Sequence, residues 1–175
     1  MDQHFYINLK NRPEKNQQTI TELRKLGIKP NKINRFDAIS HEVGLIGCVL
    51  SHIAVLEKAK ELGWNYCIIF EDDIQISSKK KVIEKFNKYI NYDYDVLYLG
   101  CWNVKRPIPI ENDLSRVVKA WCTNNKYNID DYIECLQKKD KWLMITPIYI
   151  TQRDGWSDSF NTTRNLSKII KTIPL

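Results

Sequence analysis

Along the first hundred residues the apolar positions switch repeatedly between strand-like runs and helical spacing. His4 to Leu9 (HFYINL) is rich in aromatic and β-branched residues and predicts an opening strand. The next stretch, RPEKNQQTITELRKLG, spaces Ile20, Leu23 and Leu26 helically, with Pro13 suited to a first turn and Gly27 to a stop. KINRFDAI (Lys32 to Ile39) predicts a short second strand. Gly44 to Gly63 carries the longest helical pattern, with Leu45, Val49, His52, Leu56 and Ala59 on one face. YCIIF (Tyr66 to Phe70) is short and uniformly apolar, as expected of a central parallel strand covered on both faces. SSKKKVIEKFNKYI offers Ser77 or Ser78 as an N-cap and Val82, Ile83, Phe86 and Ile90 as an apolar face. DVLYLG (Asp95 to Gly100) closes the series as a strand. This alternation is the pattern of a doubly wound α/β fold with an open, Rossmann-like sheet and flanking helices.

Beyond Gly100 the periodicity fades. NVKRPIPIENDLS reads as a proline-punctuated loop and NIDDYIECLQKKDKW as a short helix. WLMITPIYIT is strand-like, with Pro147 restricting it to an edge or a break. The tail, from Arg153 onward, has no long period, and no internal repeat interrupts the chain. We expect a single domain over residues 1–175, regularly patterned in 1–100 and weakly patterned in 101–175.

Composition narrows the class only modestly. Of 175 residues, 43% are hydrophobic and 27% charged, which suits a globular chain and argues against disorder. Lys plus Arg exceed Asp plus Glu by 27 − 21 = 6, a bias toward anionic partners. The positive residues are scattered, and no nucleic-acid-binding motif accompanies them, so nucleic acid is not an expected partner. The five cysteines (Cys48, Cys67, Cys101, Cys122, Cys135) form no C-x-x-C pair, and free thiols in a reducing compartment are expected. Neither a signal-peptide pattern nor a membrane-spanning apolar run is visible, so the expected location is cytoplasmic. The oligomeric state is left open.

The chemistry gathers at Glu71, Asp72 and Asp73, directly after the apolar run. Buried charge is costly without a partner, so the triplet sits either where the chain meets water or where a cation waits. Ligands bind outside the carboxyl ends of strands in open α/β sheets, and hard oxygen donors there suit Mg²⁺ or Mn²⁺. Capping of the following element is the structural alternative. A phosphohydrolase or nuclease could use the same carboxylates. It would need further acidic or histidine ligands, and His4, His41 and His52 form no H-x-D or H-x-H pattern.

Five segments in order, YINLKNRPEK, RFDAI, GLIGCVLSHIAVLEKA, YCIIFEDDIQI and YDVLYLG, resemble glycosyltransferase family 25. That family includes bacterial lipopolysaccharide and lipooligosaccharide galactosyltransferases and procollagen galactosyltransferases. The resemblance implies a GT-A type fold, a UDP-sugar donor (most often UDP-galactose), a glycan or hydroxylated side chain as acceptor, and Mn²⁺ or Mg²⁺ on a DXD-like motif. On that basis Asp73 and then Glu71 are the expected metal ligands. Asp72 points away from the metal and is grouped with the donor-binding residues. Asn8, Leu9 and Arg12 are expected near the nucleotide. GCVLSHIAVL matches the family's glycine–cysteine–serine–histidine pattern and places Ser51 and His52 as donor contacts, with a hydrogen-bonded core histidine as the alternative for His52. The family's inverting displacement needs a carboxylate base, for which Asp130 and Asp131 are the candidates. MITPIYITQRDGWSDS resembles a later proline-containing strand and a glutamine–glycine–serine–aspartate stretch. The resemblance makes 1–100 the donor-nucleotide half and 101–175 a shortened acceptor half. The segment from Gly100 to Asp130 is shorter than the family's, which keeps open a non-catalytic member that binds a nucleotide-sugar or a partner.

Overall fold

The computed structural model describes residues 3–100, 141–145, 148–158 and 161–165. In chain order the elements are β1 (His4–Asn8), α1 (Pro13–Lys25), a 3₁₀ turn (Pro30–Lys32), β2 (Arg35–Asp37), α2 (Gly44–Glu61), β3 (Ile68–Glu71), β4 (Ile74–Ile76) and α3 (Lys79–Tyr89). Then follow β5 (Val96–Tyr98), β6 (Trp142–Met144), β7 (Ile150–Gln152), β8 (Gly155–Ser157) and β9 (Thr162–Arg164). The described residues fall into two compact units, one from Met1–Ile76 and Gln152–Asn165, the other from Ser77–Thr151.

The first unit is built on a parallel sheet of order β2–β1–β3. Its alternation of strand and helix is the expected α/β pattern. All five residues of β1 are buried, and β1 occupies the middle of this sheet. The run YCIIF, expected at the centre, supplies β3, which among the described residues is the outer strand of this sheet. Its uniform apolarity has another cause. Ile68 and Phe70 are buried on one face, while Ile69 packs with Phe5, Ile7 and Val55 on the other. Two covered faces make a strand apolar whether or not it has a neighbour on each side.

Helix α1 begins at Pro13 and stops at Gly27, whose φ of 86° is a left-handed backbone that glycine adopts without strain. Beside the expected Leu23 and Leu26 it buries Thr19 and Glu22. In α2 the inward stripe differs from the predicted one. Gly47, Ser51, Val55 and Ala59, each four apart, are buried with Val49, whereas Leu56 is 42% exposed. Gly47 explains the rotation: a Cβ there would lie 2.5 Å from the Ile39 carbonyl oxygen, so only glycine permits this approach. Ser51 then clamps the contact, accepting the Ile39 N–H at 2.8 Å and donating to the Gly47 carbonyl at 2.6 Å. A short antiparallel hairpin, β8–β9, completes the unit.

In the second unit Ser78 caps α3 by accepting the Lys81 N–H at 3.4 Å, and Val82 and Phe86 are buried as expected. DVLYLG forms β5, which pairs in parallel with β6 in a separate two-stranded ladder rather than extending the β2–β1–β3 sheet. The predicted loop after Gly100, the predicted helix over NIDDYIECLQKKDKW as far as Asp140, and Pro147 lie outside the described residues. Trp142, the last residue of that predicted helix, instead opens β6. Among the described residues no helix is long and apolar enough to cross a membrane.

Candidate functional site

Parallel pairing fixes where the acidic triplet emerges. Glu71 is the last residue of β3 and sits in register with Ile7, one position before Asn8 closes β1. Asp72 and Asp73 follow in the turn to β4. All therefore lie at the carboxyl ends of parallel strands, where ligand sites of such sheets form.

Each member of the triplet has a different environment. Asp72 Oδ2 accepts from Asn8 Nδ2 at 2.8 Å, and Oδ1 lies 3.5 Å from Lys15 Nζ. Its carbonyl faces the buried Thr19 hydroxyl at 2.9 Å. Glu71 Oε2 accepts from Gln152 Nε2 at 3.0 Å, and Oε1 lies 3.8 Å from His52 Nε2. Asp73 uses its carbonyl to accept the Arg153 N–H, while its side-chain Oδ1 is buried with no hydrogen-bond partner among the described residues. Burial, reinforced by the neighbouring Glu71 and Asp72 charges and opposed by Lys15, raises the Asp73 carboxyl to about 7.

The chain returns to this corner through Gln152–Asp158. Gln152 meets Glu71, Arg153 meets Asp73, and Asp158 pairs with both Arg12 Nη2 and Lys15 Nζ, the latter at 3.7 Å. Gln152 and Asp158 belong to the stretch that resembled the family's glutamine–glycine–serine–aspartate pattern, to which sequence reasoning gave no role. Lys15 was missed as well; its signal is the one-turn spacing from Arg12 on α1.

The remaining expected residues separate clearly. Asn8 is 1% exposed and stands at the centre of the network, also donating to the Arg12 carbonyl at 3.2 Å. Leu9 contributes its carbonyl to the turn, accepting the Arg12 N–H at 3.0 Å. Ser51 is fully buried with its hydroxyl committed to backbone partners, so it acts as a clamp between α2 and the 39–41 segment. His52 lies beside Glu71. Its Nδ1 is 3.0 Å from the Cys48 carbonyl, which can only accept, so Nδ1 carries the hydrogen and Nε2 faces the carboxylate. Asp130 and Asp131 lie outside the described residues.

The donor set fits a hard divalent cation. A buried carboxylate oxygen without a donor, next to two further carboxylates, is neutralised by a cation more effectively than by any single hydrogen bond. Asp73 is the member of the triplet with a buried oxygen left unmatched among the described residues, and it would be the first to hold the ion. Asp72 is engaged by Asn8 and Lys15, and Glu71 by Gln152 with His52 beside it.

Residues 42–167 match the family model described as Glycosyltransferase family 25 (LPS biosynthesis protein). The chain belongs to this family. A curated protein of Haemophilus influenzae, described as "Putative glycosyltransferase", is 31% identical over 136 residues, which make up 63% of this chain and 47% of that protein. The chain thus spans about half the length of the curated relative it matches. The family 25 match takes in α2, the acidic triplet and Gln152–Asp158. It begins after β1 and α1, so Asn8, Arg12 and Lys15 join the site through the fold rather than through the matched segment.

Proposed function

We propose that this family 25 member is a GT-A type, metal-dependent glycosyltransferase. It moves a hexose, galactose in the first instance, from a UDP-sugar to a glycan or hydroxylated side-chain acceptor with inversion at the sugar carbon. The observation that carries this reading is the buried Asp73 carboxylate, one oxygen of which has no hydrogen-bond partner among the described residues, beside Glu71 at the carboxyl end of a parallel strand.

In this reading Asp73 and Glu71 hold Mn²⁺ or Mg²⁺, which when bound neutralises the leaving diphosphate. Asn8, buried between the Arg12 carbonyl and Asp72, fixes the end of β1 against the triplet. Arg12, just before α1, and Lys15, in its first turn, supply positive charge where diphosphate oxygens would replace Asp158 as their anionic partner. Inversion forms the bond from the acceptor oxygen to the anomeric carbon as the bond to the diphosphate oxygen breaks. The acceptor's proton passes to a carboxylate, with Asp131 and Asp130 as candidates.

The test is calorimetric titration of UDP and a panel of UDP-sugars, with and without Mn²⁺, on wild type and Asp73→Ala, followed by transfer assays on the sugars that bind. Metal-dependent binding that weakens about a hundredfold or more in the variant supports the donor site. Binding without transfer to any acceptor would turn the reading to a nucleotide-sugar-binding member without turnover. No nucleotide binding under either condition would remove the transferase reading and leave the triplet as a strand end.

A further inference from the structure

The helix α2 presents Cys48 and His52 four residues apart, one turn above one another on the same side. Glu71 reaches the same place from the end of β3. Cys48 Sγ, a ring nitrogen of His52 and a carboxylate oxygen of Glu71 all lie within 4.8 Å of one another. Among the described residues this group, and not the acidic triplet, brings three ligand types to one point.

Its chemistry differs from that of Asp73. A thiolate, an imidazole and one carboxylate form a borderline-soft set of the kind that binds Zn²⁺, whereas Mg²⁺ and Mn²⁺ favour oxygen. The surrounding hydrogen bonds already orient two of the ligands. The His52 ring sits between the other two ligands: Nδ1 lies 3.0 Å from the Cys48 carbonyl and 3.8 Å from Cys48 Sγ, and Nε2 faces Glu71. Gln152 Nε2 holds Glu71 Oε2 at 3.0 Å and leaves Oε1 toward His52. Metal-binding histidines and carboxylates are commonly supported by such outer contacts. The Nε2 to Oε1 separation is 3.8 Å. Tetrahedral zinc would need about 3.3 Å, a closure of about half an ångström. The Glu71 side chain is 45% exposed and can rotate that far.

We propose that Cys48, His52 and Glu71 form a site for Zn²⁺ or another thiophilic divalent cation, with water completing the coordination. Binding releases the Cys48 thiol proton to solvent and forms the sulfur–metal bond. Glu71 is the one residue this site shares with the proposed donor-linked cation pair.

The experiment is titration of the full chain with Co²⁺ alone, without nucleotide, followed by absorption spectroscopy. A thiolate-to-cobalt charge-transfer band in the near ultraviolet, with visible bands of a tetrahedral ion that Zn²⁺ displaces, is expected in the wild type. Cys48→Ser should abolish the charge-transfer band, and His52→Gln and Glu71→Gln should weaken cobalt affinity by about tenfold or more. Cys67→Ser, a half-buried thiol elsewhere, should leave the spectrum unchanged. Circular dichroism establishes that each variant folds; should Cys48→Ser fail, His52→Gln and Glu71→Gln carry the test. Absence of a charge-transfer band in the wild type overturns the site, as does a band that survives in folded Cys48→Ser or persists at full affinity in both remaining variants. With no nucleotide present, the result stands apart from the UDP-binding test.

Discussion

The two faces of β1 make an instructive pair, because the same five buried residues serve opposite purposes on alternate sides. Phe5 and Ile7 face α2 and join Val55, with Phe36, Trp64, Cys67 and Ile69 packed around them. Phe5 stacks on Trp64 with ring centroids 5.2 Å apart and meets Phe36 edge-on at 6.3 Å. Tyr6 and Asn8 face the α1 side and are equally buried, yet both are bound by polar contacts. The Tyr6 hydroxyl donates to Asn16 Oδ1 at 2.6 Å, and Asn8 donates to Asp72. Apolar packing tolerates small shifts, whereas a buried polar network is satisfied only in one geometry. The strand thus uses one face for stability and the other to fix the position of the carboxylates.

Three experiments would break or sharpen that contrast. The largest effect belongs to the apolar face: Phe5→Ala should destabilise the protein by about 3–5 kcal/mol, through lost burial and the cavity left against Trp64. Denaturant unfolding measures it, and UDP affinity of the folded fraction should stay near the wild-type value. An equal loss of affinity would show that the two faces are not separable.

On the polar face, Asn8→Asp removes the donor to Asp72 and sets a second carboxylate beside it. The cost should be about 2 kcal/mol, with about half recovered when Asp72→Asn is added. A double-mutant cycle with no coupling would detach Asn8 from the triplet.

The smallest effect lies further along α1. Glu22 is buried, which pushes its carboxyl up, but Lys25, the Ile76 N–H at 2.9 Å and Arg153 together outweigh burial and hold it below the ordinary 4.5. A carboxyl depressed on folding contributes stability in full above the unfolded value and loses it as pH falls through the folded one. Glu22→Gln should therefore cost about 1 kcal/mol at neutral pH, and the gap to wild type should close well below pH 4.5. A gap that persists unchanged into strong acid would assign the loss to shape rather than charge.

Much of the scaffold was legible in the chain. Period and punctuation located β1, α1, β2, α2, β3 and α3, since Pro13, Gly27 and Ser78 act through local backbone geometry. The triplet was legible as a site because three carboxylates directly after a buried strand conflict with burial unless a ligand or solvent resolves them. The site's other half was not. Lys15 and Asp158 lie 143 positions apart in sequence and meet only through the fold; each lies at or near the end of a stretch that resembles the family, yet nothing local says that the two are partners.

The sequence by itself determined the alternating α/β order, the acidic strand end and the resemblance that family membership bears out, because these rest on local periodicity and motif spacing. Only the tertiary structure decided which strand lies central, which side of α2 turns inward and which partner each carboxylate takes. Those choices depend on the close approach at Gly47 and on buried polar groups finding partners across the chain, interactions that no local pattern encodes.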